Sequence, residues 1–292
     1  MTNLAIRRGF ALIGAISLSA MSVAVEVQPN AQLQVQAEYH RPSSSDSGDW
    51  SIQMPSSHFG ISAVETLASS RFYGVLSFAV APDASSSVEL GQRFAYLGWQ
   101  QGFLNIQAGQ IPTLEYSYLE SAVRGLMSLP TRGIGLSQNF TDSEQQAVRL
   151  EARSGEYLRI ATQWVLTEDQ SDLPWHAAAK LETPEGHVAV TYRKRPDEPA
   201  FWGNEITWNS ENTEISAIWG AQDGTLEWDL FLTLSPDALE TTFGYGQRPD
   251  DVTRWSVGLY QPLSPALTSY SELIHWSDER NWRWTSGFQL TF

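Results

Sequence analysis

Residues 32–40 of this 292-residue chain read Gln32-Leu33-Gln34-Val35-Gln36-Ala37-Glu38-Tyr39-His40. Apolar side chains fall on every second residue, and polar side chains fall between them. A period of two is the signature of a β-strand with one apolar face and one polar face. A single strand of this kind also fits a soluble β-sandwich, so the decision depends on whether the pattern recurs.

The same alternation returns along the chain, in residues 147–153, 157–166 and 282–292. Charged residues such as Arg149 and Arg159 lie on the polar faces of these strands. A soluble sandwich turns its polar face outward and keeps fewer charges on its strands, whereas a membrane barrel is apolar outside and polar within. The sequence therefore predicts an all-β fold, a transmembrane antiparallel up-and-down β-barrel.

Turn clusters and longer polar connections divide the chain into about sixteen strands. Short turns alternate with longer connections, as in bacterial barrels, which have short turns on one rim and longer loops on the other. Pro55 interrupts the second strand. Barrels of twelve or fourteen strands with longer loops also fit. The sixteen predicted strands begin near residues 31, 52, 71, 93, 103, 145, 156, 175, 187, 200, 213, 225, 238, 253, 267 and 282.

The N-terminus has the three parts of a secretory leader. Arg7 and Arg8 precede an apolar run, Phe10–Leu18, and the small-x-small triplet Ser22-Val23-Ala24 closes the segment. The apolar run is too short for a membrane-spanning helix. We therefore expect residues 1–24 to be a signal peptide and residues 25–292 to form the barrel.

Composition excludes several classes of function. The net charge of −15, which becomes more negative once Arg7 and Arg8 leave with the leader, argues against nucleic-acid binding. The chain has no cysteine, and its five histidines form no zinc-binding motif. We expect no cofactor, no metal site and no catalytic residues.

Four segments, in order, resemble the Gram-negative general porins of the single-chain trimeric type. Each motif alone is weak, but together they span most of the exported chain. The four are residues 57–67 (Ser57-His58-Phe59-Gly60-Ile61 and Glu65-Thr66-Leu67), residues 93–110 (Arg93–Trp99 and Gly102–Gln110), Leu263-Ser264 with Tyr270, and Gly287–Phe292.

The resemblance implies a passive outer-membrane pore for small hydrophilic solutes, not an enzyme. It also implies a homotrimer surrounded by membrane lipid and lipopolysaccharide, with Phe292 recognised by the barrel assembly machinery. In the family, the connection after the fifth strand folds into the lumen as the constriction. Residues 111–143, which contain Pro112 and Pro130 and little alternation, occupy that place here.

The resemblance further implies a constriction with acidic residues on the loop and basic residues on the wall. Glu115 and Glu120 are the acidic candidates. A plain solvated loop is the alternative for these two, and structural ion pairs, for instance with Glu151, are the alternative for the basic residues. The basic candidates, which alternation turns toward the lumen, are Arg71, Arg149, Arg153 and Arg159.

Three basic positions of the family pattern are lost, at Gln110, within Ile61-Ser62-Ala63, and at Pro265-Ala266. Together with the acidic charge, this loss predicts a pore that prefers cations.

Three alternatives stay open at this point: a sugar-specific channel lined by tryptophans, an outer-membrane hydrolase on a barrel rim, and a closed structural barrel. For the hydrolase, Ser57-His58 is the only adjacent pair, and the porin-like hairpin already accounts for it. For the sugar channel, Trp164, Trp276, Trp282 and Trp284 fit an interfacial girdle at strand ends better than a solute path.

Overall fold

The computed structural model of the chain describes residues 25–41, 47–55, 57–82, 88–120, 143–166, 173–236, 238–248, 251–277 and 281–292. These residues form seventeen strands and one short π-helical turn, Tyr116–Glu120. The strands are β1 Glu26–Arg41, β2 Asp49–Gln53, β3 His58–Leu67, β4 Ser70–Pro82, β5 Val88–Gln101, β6 Leu104–Pro112, β7 Ser143–Ser154, β8 Leu158–Val165, β9 Trp175–Thr183, β10 Gly186–Lys194, β11 Phe201–Ser210, β12 Thr213–Gln222, β13 Thr225–Leu234, β14 Glu240–Gln247, β15 Thr253–Pro262, β16 Leu267–Trp276 and β17 Asn281–Thr291.

Antiparallel pairing runs around a closed barrel, because β1 pairs with β17 on one side and with β2 and β3 on the other. β2 pairs with Gln36–His40 of β1 and β3 pairs with Glu26–Gln32, so the two short strands share one position in the wall. The barrel therefore has sixteen strand positions, which confirms the predicted fold and strand count.

The break between β2 and β3 lies at the predicted interruption. Pro55 has no backbone N–H for the ladder, so a strand cannot continue through it unchanged. Just beyond it, the Ser57 hydroxyl accepts a hydrogen bond from the Gln34 N–H at 3.0 Å and lies 3.1 Å from the Gln34 carbonyl. The Ser57 side chain thus satisfies the backbone of β1 where no neighbouring strand does.

The two faces of the wall differ as alternation predicts. Apolar side chains such as Leu150, Ile160 and Leu230 are 39–49% exposed on the outside. Buried polar side chains on the inside come from most strands around the barrel. They include Gln34, Gln36, Asn105, Arg149, Gln163, His176, Lys180, Thr191, Glu205, Ser216, Asp229, Thr242, Arg254, Glu272 and Thr285.

The girdle interpretation is wrong for one of its four tryptophans. Trp164, Trp282 and Trp284 are exposed on the outer face. Trp276 is buried, and it pairs across the ladder with the inward-facing Arg254, so its ring lies inside the barrel. Trp276 does lie at a strand end, but successive side chains of a strand point to opposite faces, and Trp276 points to the inner one.

Within the described part of the chain, no helix is long and apolar enough to span a membrane.

Candidate functional site: the inner segment and its wall

The chain leaves β6 at Pro112 and turns into the barrel. We call Thr113–Leu119 the inner segment. Its turn is closed by Thr113, whose hydroxyl accepts from the Tyr116 N–H at 3.2 Å and whose carbonyl accepts from the Ser117 N–H at 3.0 Å. Leu114, Tyr118 and Leu119 are at most 1% exposed, so the segment is packed against protein and is not a solvated loop over this length.

A row of small inward-facing residues receives the inner segment. Cross-strand pairing places four such residues side by side on β8, β9, β10 and β11. We call them the shelf: Ala161, Ala178, Thr191 and Gly203. Short side chains at these positions leave a groove in the wall, because every larger neighbour along the strands stands further into the lumen.

The apolar side chains of the inner segment fill this groove. Leu114 and Tyr118 pack with Ala161 and Ala178 in one buried cluster. At Gly203 an added Cβ would lie only 2.6 Å from the Leu119 Cδ1 and 2.9 Å from the Phe201 Cζ, so a side chain at this position would displace its neighbours. The docking of the segment is therefore specified by shape on both sides.

A row of polar residues lies on the side of the shelf nearer the long loops. Arg149, Gln163, His176 and Arg193 are neighbours across β7 to β10, and we call them the upper row. Glu115 reaches this row from the inner segment. Its Oε2 is 3.1 Å from the His176 Nδ1, and its Oε1 is 3.8 Å from the Arg193 Nε.

The environment of Glu115 stabilises its ionised form. Burial alone would raise the pKa of this carboxyl group, since Glu115 is 1% exposed. The hydrogen bond and charge of His176, together with the charge of Arg193, outweigh burial and hold the pKa below its ordinary value of 4.5. Glu115 is consequently an anionic anchor of the segment on the wall.

Arg149 holds the beginning of the same segment. Its guanidinium donates to the Pro112 carbonyl, to the Ser117 hydroxyl at 3.3 Å and to the Gln163 side-chain oxygen at 2.9 Å. Arg149 is 4% exposed, so these hydrogen bonds form away from bulk water, where they are strongest.

On the opposite side of the shelf lies a lower row of cations, Arg153, Arg159 and Lys180, on adjacent positions of β7, β8 and β9. Arg153 Nε is 2.7 Å from Glu151 Oε1, and both Arg159 and Lys180 pair with Glu182. The Arg153 and Arg159 side chains are 45% and 24% exposed, so both are open to the space inside the barrel. The ion-paired arrangement that the sequence left open is present in this row.

Tyr118 joins the lower row to the inner segment. Its hydroxyl donates to Glu151 Oε2 at 3.2 Å, and the Arg159 guanidinium lies 5.5 Å from the centre of its ring. Burial and the Glu151 charge raise the pKa of Tyr118, so it stays a neutral donor.

Of the six predicted constriction residues, the structure brings four into this site: Glu115, Arg149, Arg153 and Arg159. Arg71 lies apart on β4, beside the turn at residues 67–70, with its guanidinium 5.9 Å from the Tyr73 ring centre. Glu120 ends the π-helical turn, and its side chain lies outside the described residues. The constriction role of all six stays a prediction.

Sequence reasoning missed the partners of Glu115, His176 and Arg193. Both lie on the polar faces of alternating strands, which marks them as lumen residues. Nothing local marks them as neighbours of Glu115, because that proximity arises only from the strand register.

The Ser57-His58 pair has a structural role. The Ser57 hydroxyl is engaged with the backbone of Gln34, and the His58 Nδ1 lies 3.0 Å from the Arg93 Nη1. The hydroxyl thus binds the backbone of β1 beside the break between β2 and β3. The hydrolase alternative therefore has no support from this pair. Among the residues that the structure describes, no group of three or more His, Asp or Glu side chains fits a metal ion.

The Glu115 anchor predicts an acid-sensitive inner segment. A carboxyl group with a depressed pKa stabilises the folded state fully above its unfolded value, and this stability is lost as the pH falls through the folded value. We expect the segment to stay docked at pH 7 and to lose this stabilisation as the pH falls below the ordinary glutamate value of 4.5 and through the lower pKa of Glu115. Hydrogen exchange of residues 113–119 as a function of pH measures this. The Glu115→Gln variant lacks the titrating group, so a pH response unchanged in that variant would contradict the assignment.

Comparison with known proteins places the fold. No family model matches the chain, and no curated protein matches it. Solved structures match over nearly its whole length. The anion-selective porin from Comamonas acidovorans is 12% identical and matches with a TM-score of 0.75 over 92% of this chain and 100% of its own. A Salmonella typhi OmpF complex with daunomycin is 10% identical, with a TM-score of 0.73 over 91% of this chain and 97% of its own. A loop L8 deletion mutant of OmpT, an outer membrane protein of Vibrio cholerae, is 13% identical, with a TM-score of 0.72 over 92% of this chain and 100% of its own. The chain therefore has the fold of sixteen-stranded porin barrels.

Proposed function

We propose that the protein is an outer-membrane porin, a passive pore for small hydrophilic solutes and ions without catalytic activity. The observation that carries the proposal is a closed barrel with an apolar outer face, a polar inner face and a chain segment folded inward from the end of β6. A wet, charged interior serves no packing purpose in a protein of this size, whereas it suits a permeation path.

The proposal includes export and assembly. A leader at residues 1–24, which lies outside the described residues, would deliver the chain to the Gram-negative outer membrane, with lipid and lipopolysaccharide around its apolar face. Phe292 is 73% exposed at the end of the chain, where the assembly machinery would read it. A homotrimer is supported by an apolar depression of about 460 Å³ on the outer face of β3 to β6, where Ala63, Gly74 and Ala108 leave room for a neighbour.

Liposome swelling tests the pore function. The exported chain, refolded into vesicles, is expected to admit arabinose and glucose faster than raffinose, because a water-filled pore sieves neutral solutes by size. Vesicles that contain heat-denatured protein are the control. Equal, protein-independent rates for all three sugars would contradict a pore.

We further propose that the pore favours cations. The chain carries 33 acidic against 18 basic residues, and the cations of the upper and lower rows are paired with carboxylates or engaged with the inner segment. In a tenfold KCl gradient we expect a reversal potential of the cation sign, because the excess of acidic residues gives the pore a negative potential. A reversal potential of the anion sign would remove this part of the proposal and leave the pore itself intact.

A further inference from the structure

A closed ring of ion pairs links the inner segment to the stretch of chain that follows β10. Three carboxylates alternate around it with three basic side chains, and consecutive members lie no more than 3.9 Å apart. We call it the charge ring. Its members, in order around the ring, are Glu115, His176, Glu144, Arg195, Glu198 and Arg193, which returns to Glu115.

The members of the charge ring come from the inner segment, the wall and one loop. Glu115 belongs to the inner segment, whereas Glu144, His176 and Arg193 belong to β7, β9 and β10. The last two members lie in the connection 195–200 between β10 and β11, which we call the β10–β11 loop. The loop therefore reaches Glu115 through Glu144 and His176 on one side of the ring and through Arg193 on the other.

Burial changes steadily around the charge ring. The side chains of Glu115, His176 and Arg193 are at most 3% exposed. At the loop, the side chains of Arg195 and Glu198 are 20% and 34% exposed. Charges act on one another more strongly away from water than in it. A change of charge at the accessible loop is therefore felt by the buried half of the ring, where the inner segment is anchored.

The ring geometry gives the two loop residues opposite effects on Glu115. Arg195 pairs with Glu144, which lies 3.9 Å from His176. Without Arg195, Glu144 would repel Glu115 more strongly and compete with it for the same imidazole. Glu198 competes for Arg193, which is attracted electrostatically by both Glu198 and Glu115. Without Glu198, Glu115 has one carboxylate fewer to repel it and one competitor fewer for Arg193.

We propose that the β10–β11 loop controls how firmly the inner segment is docked, with Arg195 strengthening the docking and Glu198 weakening it. Both are positioning residues, because they act on Glu115 through other members of the ring. The proposal rests on the proposed function in one respect: only in an open pore does the position of the inner segment set the width of the path. It goes beyond that function by assigning control of the segment to a loop on the long-loop rim.

Hydrogen exchange of residues 113–119 in the detergent-folded barrel tests the proposal without requiring conduction. Arg195→Gln is expected to speed this exchange about threefold to fivefold, the effect of losing a partly exposed ion pair. Glu198→Gln is expected to leave the exchange unchanged or to slow it. The double variant Arg195→Gln with Glu198→Gln removes one charge of each sign and should exchange within about twofold of the unaltered chain. A loop that acted by packing alone would give accelerations of the same sign in all three variants.

Two neighbouring charged residues outside the ring provide matched controls. Lys194 precedes Arg195 but is exposed beside Trp175 on the outer face, and Asp197 is exposed on the same loop as Glu198. Lys194→Gln and Asp197→Asn should leave exchange of the inner segment unchanged, with heat-modifiable migration showing an intact barrel in every variant.

Two results would overturn the control by the loop. One is an acceleration in Glu198→Gln or Lys194→Gln that equals the acceleration in Arg195→Gln. The other is an exchange rate that Arg195→Gln does not change. Because exchange is measured without solute flux, the expected pattern in a barrel that passes no solute would overturn the pore and keep the role of the loop.

Discussion

Replacing Glu115 with alanine is expected to undock the inner segment and to speed hydrogen exchange of residues 113–119 by about a hundredfold or more. The substitution removes the carboxylate that lies 3.1 Å from His176 and 3.8 Å from Arg193, and it leaves the longer contacts of these two residues with Glu144 and Glu198, both at 3.9 Å. Breaking a buried pair by removing one partner costs about 3–5 kcal/mol, and every 1.4 kcal/mol of local stability corresponds to a tenfold change in opening. Exchange of the folded barrel, followed by mass spectrometry, measures this directly.

Glu182→Ala is the matched control, because Glu182 also pairs with two wall cations but is 38% exposed. Exposed pairs contribute about 0–1 kcal/mol, so this variant should leave exchange of the inner segment nearly unchanged. If both variants accelerate exchange equally, the segment is not held by Glu115. If neither does, the apolar contacts with the shelf hold the segment without the anchor.

Replacing Asp229 with alanine is expected to lower the free energy of unfolding by about 3–5 kcal/mol, because Arg254 would remain buried without its acidic partner. A urea titration of the barrel folded in phosphatidylcholine vesicles, followed by the heat-modifiable band, gives the change. The expected loss is large because Arg254 is 2% exposed, and a buried charge without its partner is costly.

The double variant Asp229→Ala with Arg254→Met separates charge from packing. An apolar pair of similar volume is often as stable as the ion pair that it replaces, so most of the loss should be recovered. A double variant that is as unstable as Asp229→Ala alone would show that the single substitution acts through a cavity and not through the unpaired charge.

Much of the barrel could be predicted from the sequence, because alternation is local information. The predicted starts near residues 175, 213, 225, 253 and 267 coincide with strand starts in the structure. β1 and β5 each begin five residues earlier than predicted, β5 at Val88 instead of residue 93 and β1 at Glu26 instead of residue 31. The first residues of β1 pair with β3 beyond the Pro55 break. That extension depends on a partner strand, which the alternation within β1 does not reveal.

The site could be predicted only in part. The place of the long connection follows from its lack of alternation: β6 ends at Pro112 and β7 begins at Ser143. The shelf could not be found, because Ala161, Ala178 and Gly203 look like ordinary small residues until the register aligns them. Glu115 was found as a charged residue of the loop, whereas its partners are 61 residues and more away in the chain.

The same reason explains the misplaced Trp276. A tryptophan at a strand end fits a girdle, and only the parity of β16 relative to β15 shows that this ring faces inward. A shift of one residue in the register would move the Trp276 ring from the inner face to the outer face of the barrel, so the register decides which face it occupies.

Single-channel recording of the refolded residues 25–292 in a planar bilayer tests the central claim, that the polar interior of this barrel is a permeation path. We expect discrete, reproducible current steps, with Glu115→Ala showing larger or noisier open-channel current as the inner segment leaves the wall. Silent bilayers that contain a heat-modifiable, correctly folded barrel would contradict the claim and identify the protein as a closed barrel.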